Sequence, residues 1–121
     1  MRVLVIGLAT LALAVPATSA TTPSGLRGIV TRGPVTPVCR VDVPCDEPAA
    51  NVVLVFSQSG RVIARTTTGR AGGYRLTLRP GRYSVRTTRR TGIGSGVMPA
   101  SVLVPRGRVA RVDFKIDTGI R

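Results

Sequence analysis

The sequence predicts an all-β sandwich, and three observations carry that prediction. From Gly72 to Arg86, apolar residues alternate with basic or hydroxyl ones on either side of Pro80 and Gly81, the period of two that a half-buried strand shows. From Asn51 to Ser57, β-branched and aromatic residues run without a break, as in a strand buried on both faces for part of its length. Turn residues recur at short intervals, and no stretch beyond residue 20 carries the roughly 3.6-residue apolar period of a helix.

Taken in order, residues 1–20 read as a secretory signal peptide. Arg2 supplies the positive start, Val3 to Val15 the apolar core, and Thr18-Ser19-Ala20 a small-residue cleavage site. The apolar run is short for a membrane span, so the mature chain is expected to begin at Thr21 and to cross no membrane. An uncleaved N-terminal anchor is the alternative. A lipid anchor has no acceptor, because the first cysteine, Cys39, lies far from the apolar run.

Residues 21–25 are expected to be a mobile polar leader, residues 26–116 the sandwich, and residues 117–121 a short tail. Leu26 to Arg32 is a first strand, with Leu26, Gly28 and Val30 on one phase. Gly33 to Ala50 contains Pro34, Pro37, Pro44, Pro48 and both cysteines, which makes a long irregular loop of the kind that often carries recognition. Asn51 to Ser57 is the central strand, Gln58-Ser59-Gly60 a turn, and Arg61 to Thr67 the hairpin partner. After a glycine-rich turn, Tyr74, Leu76 and Leu78 face one way and Arg75, Thr77 and Arg79 the other. Pro80 presets the first dihedral of a type II turn, and Gly81 can take the positive φ that follows. Tyr83 and Val85 then alternate with Arg82, Ser84 and Arg86. A second loop runs from Arg86 to Pro99. Ser101 to Val104 is a short strand ended by Pro105-Arg106-Gly107, and Arg108 to Ile116 closes the domain. There Ala110, Val112, Phe114 and Ile116 face in, and Arg111, Asp113 and Lys115 face out. The total is seven short strands without an internal repeat.

The 121 residues suit one domain with a modest core. The formal net charge is +13, from 18 Lys and Arg against 5 Asp and Glu, and Lys115 is the only lysine. Arginine pairs with phosphate and carboxylate through two N–H groups at once, so a polyanion is a candidate partner. The competing explanation is a solvated face, since charge on the wet side of strands keeps sheet edges apart. Arg86, Arg89, Arg90, Arg106 and Arg108 are the candidate anion-binding residues. Cys39 and Cys45, the only cysteines, are expected to form a disulfide in an exported chain. Their spacing is not Cys-x-x-Cys, and the sequence has no His, so redox and zinc chemistry fit poorly.

Thr68, Gly72, Tyr74, Leu78, Pro80, Gly81, Tyr83 and Val85 resemble the Thr-Asp-x-x-Gly-x-Tyr … Leu-x-Pro-Gly-x-Tyr-x-Val signature of carboxypeptidase regulatory-like domains. Gly28-Ile29-Val30 and the strand Val52 to Phe56 look similar as well. The resemblance covers residues from about Leu26 to Ile116, and its Leu78–Val85 motif is shared with collagen-binding-B-type and transthyretin-like sandwiches. It implies a seven-stranded antiparallel, prealbumin-like Greek-key sandwich with a non-catalytic accessory role in secreted or surface proteins. Gly69 stands where that family often has Asp, which removes the turn bond such a side chain makes.

Constellations for catalysis are weak. Asp117-Thr118-Gly119 matches the aspartic-protease triplet, which needs a second aspartate facing it; here only Ile120 and Arg121 follow, too few for the strands expected after such a triplet. With no His, general acid–base and serine nucleophile chemistry lack their base, and a transthyretin-like hydrolase lacks its motif. Gly92, Gly94 and Gly96 alternate in a phosphate-loop-like way, but no helix pattern follows to supply a dipole. Lys115 and Asn51, the only Lys and Asn, invite comparison with intramolecular Lys–Asn amides. Lys115 alternates with inward Phe114 and Ile116, however, so it is expected to point to water. Trp is absent, and Phe56, Tyr74, Tyr83 and Phe114 fall on core phases, so no aromatic platform for carbohydrate or single strands is visible.

The functional expectation is a secreted, non-enzymatic structural or binding module. Its partner would be a protein or envelope component, met through the loops 33–50 and 86–99, with no cofactor, no metal and no specific nucleic acid. The alternatives are attachment to an anionic polymer or the cell envelope and, more weakly, protease inhibition.

Overall fold

One strand organises a whole sheet. The computed structural model describes residues 22–88 and 96–120, together with Gly7. The described strands are β1 (Gly25–Gly33), β2 (Glu47–Pro48), β3 (Val53–Gln58), β4 (Arg61–Thr67), β5 (Gly73–Thr77), β6 (Gly81–Thr87), β7 (Val97–Met98), β8 (Ser101–Val104), β9 (Val109–Arg111) and β10 (Phe114–Asp117). The first half of β1 lies between β5, antiparallel, and β9, parallel. Its second half lies between β2, antiparallel, and β10, parallel. β7 pairs with β10 at the margin. The other sheet is antiparallel throughout, in the order β4-β3-β6-β8. The two sheets pack face to face as a sandwich, the fold class the sequence predicts.

The core comes from one phase of each strand. Leu26, Val30, Tyr74, Val97 and Phe114 from the first sheet meet Leu54, Phe56, Tyr83, Val85, Val102 and Val104 from the second, and Leu78 and Ala49 close it. Phe56 and Phe114 meet edge-on across the two layers with ring centroids 6.2 Å apart, and Tyr74 lies tilted 5.5 Å from Phe114. These ring arrangements suit the aromatic quadrupole and add to the burial of large apolar area. Val55 is 0% exposed yet sits outside this core. It faces outward between Arg65 of β4 and Arg86 of β6, its register partners, whose aliphatic stems are placed to cover it.

Special backbone positions explain several sequence choices. Ser59 and Gly60 both have positive φ, 49° and 76°, between the paired Gln58 and Arg61. That is the geometry of a two-residue I′ hairpin, whose twist matches the strands it joins. Gly72 has φ +81°, and a Cβ on it would lie 2.4 Å from the Val30 carbonyl oxygen. Beside it, buried Thr68 acts as a staple. Its hydroxyl donates to the Ala49 carbonyl and accepts from the Val52 amide at 2.9 Å, while its backbone amide donates to the Val52 carbonyl at 2.8 Å.

Several boundaries differ from the sequence reading. The expected leader, residues 21–25, gives Gly25 to β1, and Ser24 is held: its carbonyl accepts from the Leu78 amide at 3.0 Å and its hydroxyl from the Gly107 amide at 2.9 Å. The expected tail, residues 117–121, gives Asp117 to β10, and the Thr118 hydroxyl donates to the Pro34 carbonyl at 2.6 Å. The long loops contain the two-residue strands β2 and β7. The closing strand is interrupted at Val112 and Asp113, so that β9 and β10 are two segments. Both run parallel to β1 rather than antiparallel, because the chain crosses from the second sheet back to the first at Pro105–Arg108 and enters beside Gly25. Gly81 has positive φ, but at 147° it is far from the roughly +80° of the second corner of a type II turn, and it is the first residue of β6. Residues 1–20, expected to be a signal peptide, fall outside the described residues apart from Gly7, as do Arg89, Arg90, Gly92 and Gly94.

Candidate functional site

The Pro- and Cys-containing loop is built on the end of β1. Its base is fixed by the Arg32–Glu47 ion pair at 2.5 Å, by the Lys115–Asp46 pair at 3.1 Å, and by the Thr118 amide donating to the Gly33 carbonyl at 3.1 Å. Cys39 and Cys45 are joined by a disulfide across a Cα separation of 5.4 Å. The Val35 amide donates to the Cys45 carbonyl at 2.7 Å, and the Val43 amide to the Arg40 carbonyl at 3.2 Å. The tip presents Val38 at 72% exposure, Val43 at 55% and Val41 fully exposed. Thr36, Pro37, Val38, Arg40 and Val43 line a shallow groove of about 450 Å³ there. Lys115 answers to Asp46, and Asn51 lies in the turn before β3 with its amide on the Thr68 carbonyl, so the only Lys and Asn are not paired with each other.

The candidate arginines among the described residues do not form one cluster. Arg86 lies in β6, exposed, opposite Val55. Arg106 and Arg108 are exposed in the turn after β8, beside the Gly81 end of β6 and the start of β1. Five residues of strand, about 17 Å of rise, separate Arg86 from that end. Arg89 and Arg90 are outside the described residues.

Three other arginines come together instead. Arg75 of β5, Arg27 of β1 and Arg111 of β9 are direct register partners. Their inward neighbours Leu26, Leu76 and Ala110 reach the core, so all three guanidinium groups stand on the outer face at one level. With Thr66, Thr67, Ile29 and Gly73 they line an open groove of about 480 Å³. Arg111 Nε is 3.5 Å from Asp113 Oδ1, and that same oxygen accepts the Ile29 amide at 2.9 Å. No carboxylate pairs with Arg27 or Arg75 among the described residues. The strand phases mark each of these arginines as solvent-facing, but only the register puts them in one row.

Two tyrosines sit in the core with their hydroxyls engaged. Tyr74 donates to the Val112 carbonyl and Tyr83 to the Arg79 carbonyl at 2.7 Å. Burial, and secondarily the Asp113 carboxylate, raises the Tyr74 hydroxyl well above the usual tyrosine range. Burial also raises Tyr83, with Arg79 opposing. Among the described residues no three Cys, Asp or Glu gather to hold a metal, and no helix is long and apolar enough to cross a membrane. Asp46, Glu47 and Asp113 each face a cation, and Asp117 Oδ1 accepts the Gly119 amide at 2.9 Å. Gly96, the described member of the alternating glycines, offers its carbonyl to the Asp117 amide at 3.0 Å.

No protein-family model matches the chain, and no curated protein sequence matches it. The structure is similar to that of GBS52, the minor pilin of the gram-positive pathogen Streptococcus agalactiae. The TM-score is 0.50 at 17% identity, over 78% of this chain and 44% of the pilin, so the chain spans under half the pilin's length. At that identity the likeness speaks to the β-sandwich fold.

Proposed function

We propose that the protein acts at or outside the cell surface as a non-catalytic structural or binding module, with the disulfide-stapled loop 36–45 as its recognition element. The observation that carries this reading is the loop tip. Val38, Val41 and Val43 are exposed on a segment tied at its neck by a disulfide and a backbone hydrogen bond. A loop restrained in this way loses little conformational freedom on binding. The likeness to a minor pilin, the resemblance to carboxypeptidase regulatory-like domains and the signal-peptide pattern all support a surface role. The ion pairing of Asp46, Glu47 and Asp113 and the lack of His support a non-catalytic one.

The test is retention on washed cells of the producing strain, comparing wild-type protein with Val38→Ser/Val41→Ser/Val43→Ser. The reading expects wild type to be retained and the variant to wash off. Equal retention, or native protein found only in the cytosol with free thiols, overturns it.

A second reading is attachment to an anionic polymer. It is favoured by the in-register row of Arg75, Arg27 and Arg111.

A further inference from the structure

We propose that the outer face of the first sheet carries a binding site for a linear phosphate polymer, formed by Arg75, Arg27 and Arg111, with Thr66 and Thr67 of β4 lining the same groove. The inference rests on the anionic-polymer reading and gives it a location and a ligand chemistry.

Like charges directly opposite each other on neighbouring strands repel and weaken the sheet. Three in one row do so twice. A solvated face has no need of that arrangement, and the second sheet avoids it: at its corresponding level Val55 separates Arg65 from Arg86. In the first sheet nothing separates the charges. The Asp113 carboxylate touches Arg111 alone and is already shared with the Ile29 amide. An anion lying across the row would offset the repulsion at all three positions.

The shape of the site selects a polymer. Two inter-strand steps of about 4.8 Å spread the three side chains over roughly 10 Å, too far for one small anion to touch all of them. Gly73 is the register partner of Ile29, so one side of the groove carries no side chain and a chain-like ligand can lie close to the sheet. Thr66 and Thr67 of β4 line the same groove. A polyphosphate carries its charge on the backbone itself, so laying it along the row freezes no flexible side chains, whereas a polymer with pendant carboxylates must order each one. Guanidinium forks suit the paired oxygens of each phosphate.

The experiment measures binding of inorganic polyphosphate at several salt concentrations. The proteins are wild type, Arg27→Gln/Arg75→Gln/Arg111→Gln, and the charge-matched control Arg61→Gln/Arg65→Gln/Arg82→Gln. The row variant is expected to lose about tenfold or more in affinity and to lower the salt slope by about two, each lost contact removing somewhat under one. The control should keep a slope near wild type. Asp113→Asn retains a carbonyl for the Ile29 amide while removing the negative charge beside Arg111, so it should bind polyphosphate more tightly; a folding defect would not produce that gain. Wild type that binds no polyphosphate overturns the anionic-polymer reading itself. Wild-type binding that the row and control variants weaken equally overturns the site alone. Orthophosphate bound as tightly as polyphosphate overturns the polymer, and polyglutamate bound as tightly overturns the phosphate.

Discussion

The Tyr74 hydroxyl on β5 donates to the Val112 carbonyl, at the point where β9 gives way to β10. The path passes Gly28, the register partner of Tyr74, on which a Cβ would lie 2.1 Å from that same carbonyl oxygen. The missing side chain on β1 therefore lets the interrupted strand sit close enough for the tyrosine to reach it. Tyr74→Phe keeps the ring against Phe114 and removes only this bond, so urea unfolding should show a loss of about 1 kcal/mol. An unchanged midpoint would show that the bond contributes nothing.

The same tyrosine predicts an alkaline limit. Its folded-state pKa is raised, chiefly by burial, above the unfolded value near 10. Below that value both states hold the proton and the stabilisation is complete. As pH rises past it the unfolded chain ionises first, the unfolded state binds fewer protons, and stability falls. Tyr83 is shifted in the same direction and adds to the slope. Urea midpoints measured between about pH 8 and pH 11.5 should decline more steeply for wild type than for Tyr74→Phe. Superimposable alkaline limbs would refute the assignment.

Thr68→Val preserves shape and removes both hydroxyl bonds, leaving the Ala49 carbonyl and the Val52 amide without that partner. A loss of about 2 kcal/mol or more is expected, since unsatisfied buried groups cost more than a typical bond contributes. Thr68→Ser should recover part of it. Equal destabilisation by the two would point to packing of the methyl group instead.

Two glycines with similar φ separate backbone strain from steric contact. Gly60 has φ +76° with open space around its missing Cβ, whereas Gly72 has φ +81° with the Val30 carbonyl 2.4 Å away. Gly60→Ala should cost about 1 kcal/mol, the usual penalty of that conformation. Gly72→Ala should cost clearly more in the same denaturant titration. Equal costs would mean that β1 yields freely at Val30.

Removing the disulfide should be a local event. The chain-entropy account gives a bridge across so short a loop about 2 kcal/mol. The Val35–Cys45 backbone bond and the ion pairs of Arg32 and Lys115 still hold the base. Hydrogen exchange of Cys39→Ser/Cys45→Ser should accelerate between residues 36 and 45 and stay slow in β3 and β6. Accelerated exchange in those central strands would show that the bridge supports the whole sandwich.

Local chemistry made much of this fold legible. The alternation around Pro80 and Gly81 gives β5 and β6 with their inward faces, and the unbroken run after Asn51 gives β3, with Val55 buried on the second face. What could not be read is whatever depends on register between distant segments. Arg27, Arg75 and Arg111 look like three separate wet positions until β1 aligns them. Asp113 reads as one more outward residue, although its side chain takes the place of a backbone acceptor for Ile29. The parallel course of β9 and β10 beside β1 leaves no trace in alternation, because a period of two is the same in either direction.

The pairing of β1 with β9 and β10 also sets the order in which the molecule can assemble. β3, β4, β6 and β8 all lie between residues 53 and 104, so their sheet can form as soon as that span is free. β1 must wait for partners some eighty residues downstream, closing the longest loop in the chain. A chain emerging N-terminus first therefore holds its first strand unpaired on that side until nearly the whole polypeptide is out. Pairing on that side therefore comes last. That order makes the segment from Val109 to Asp117 the latch that completes the first sheet.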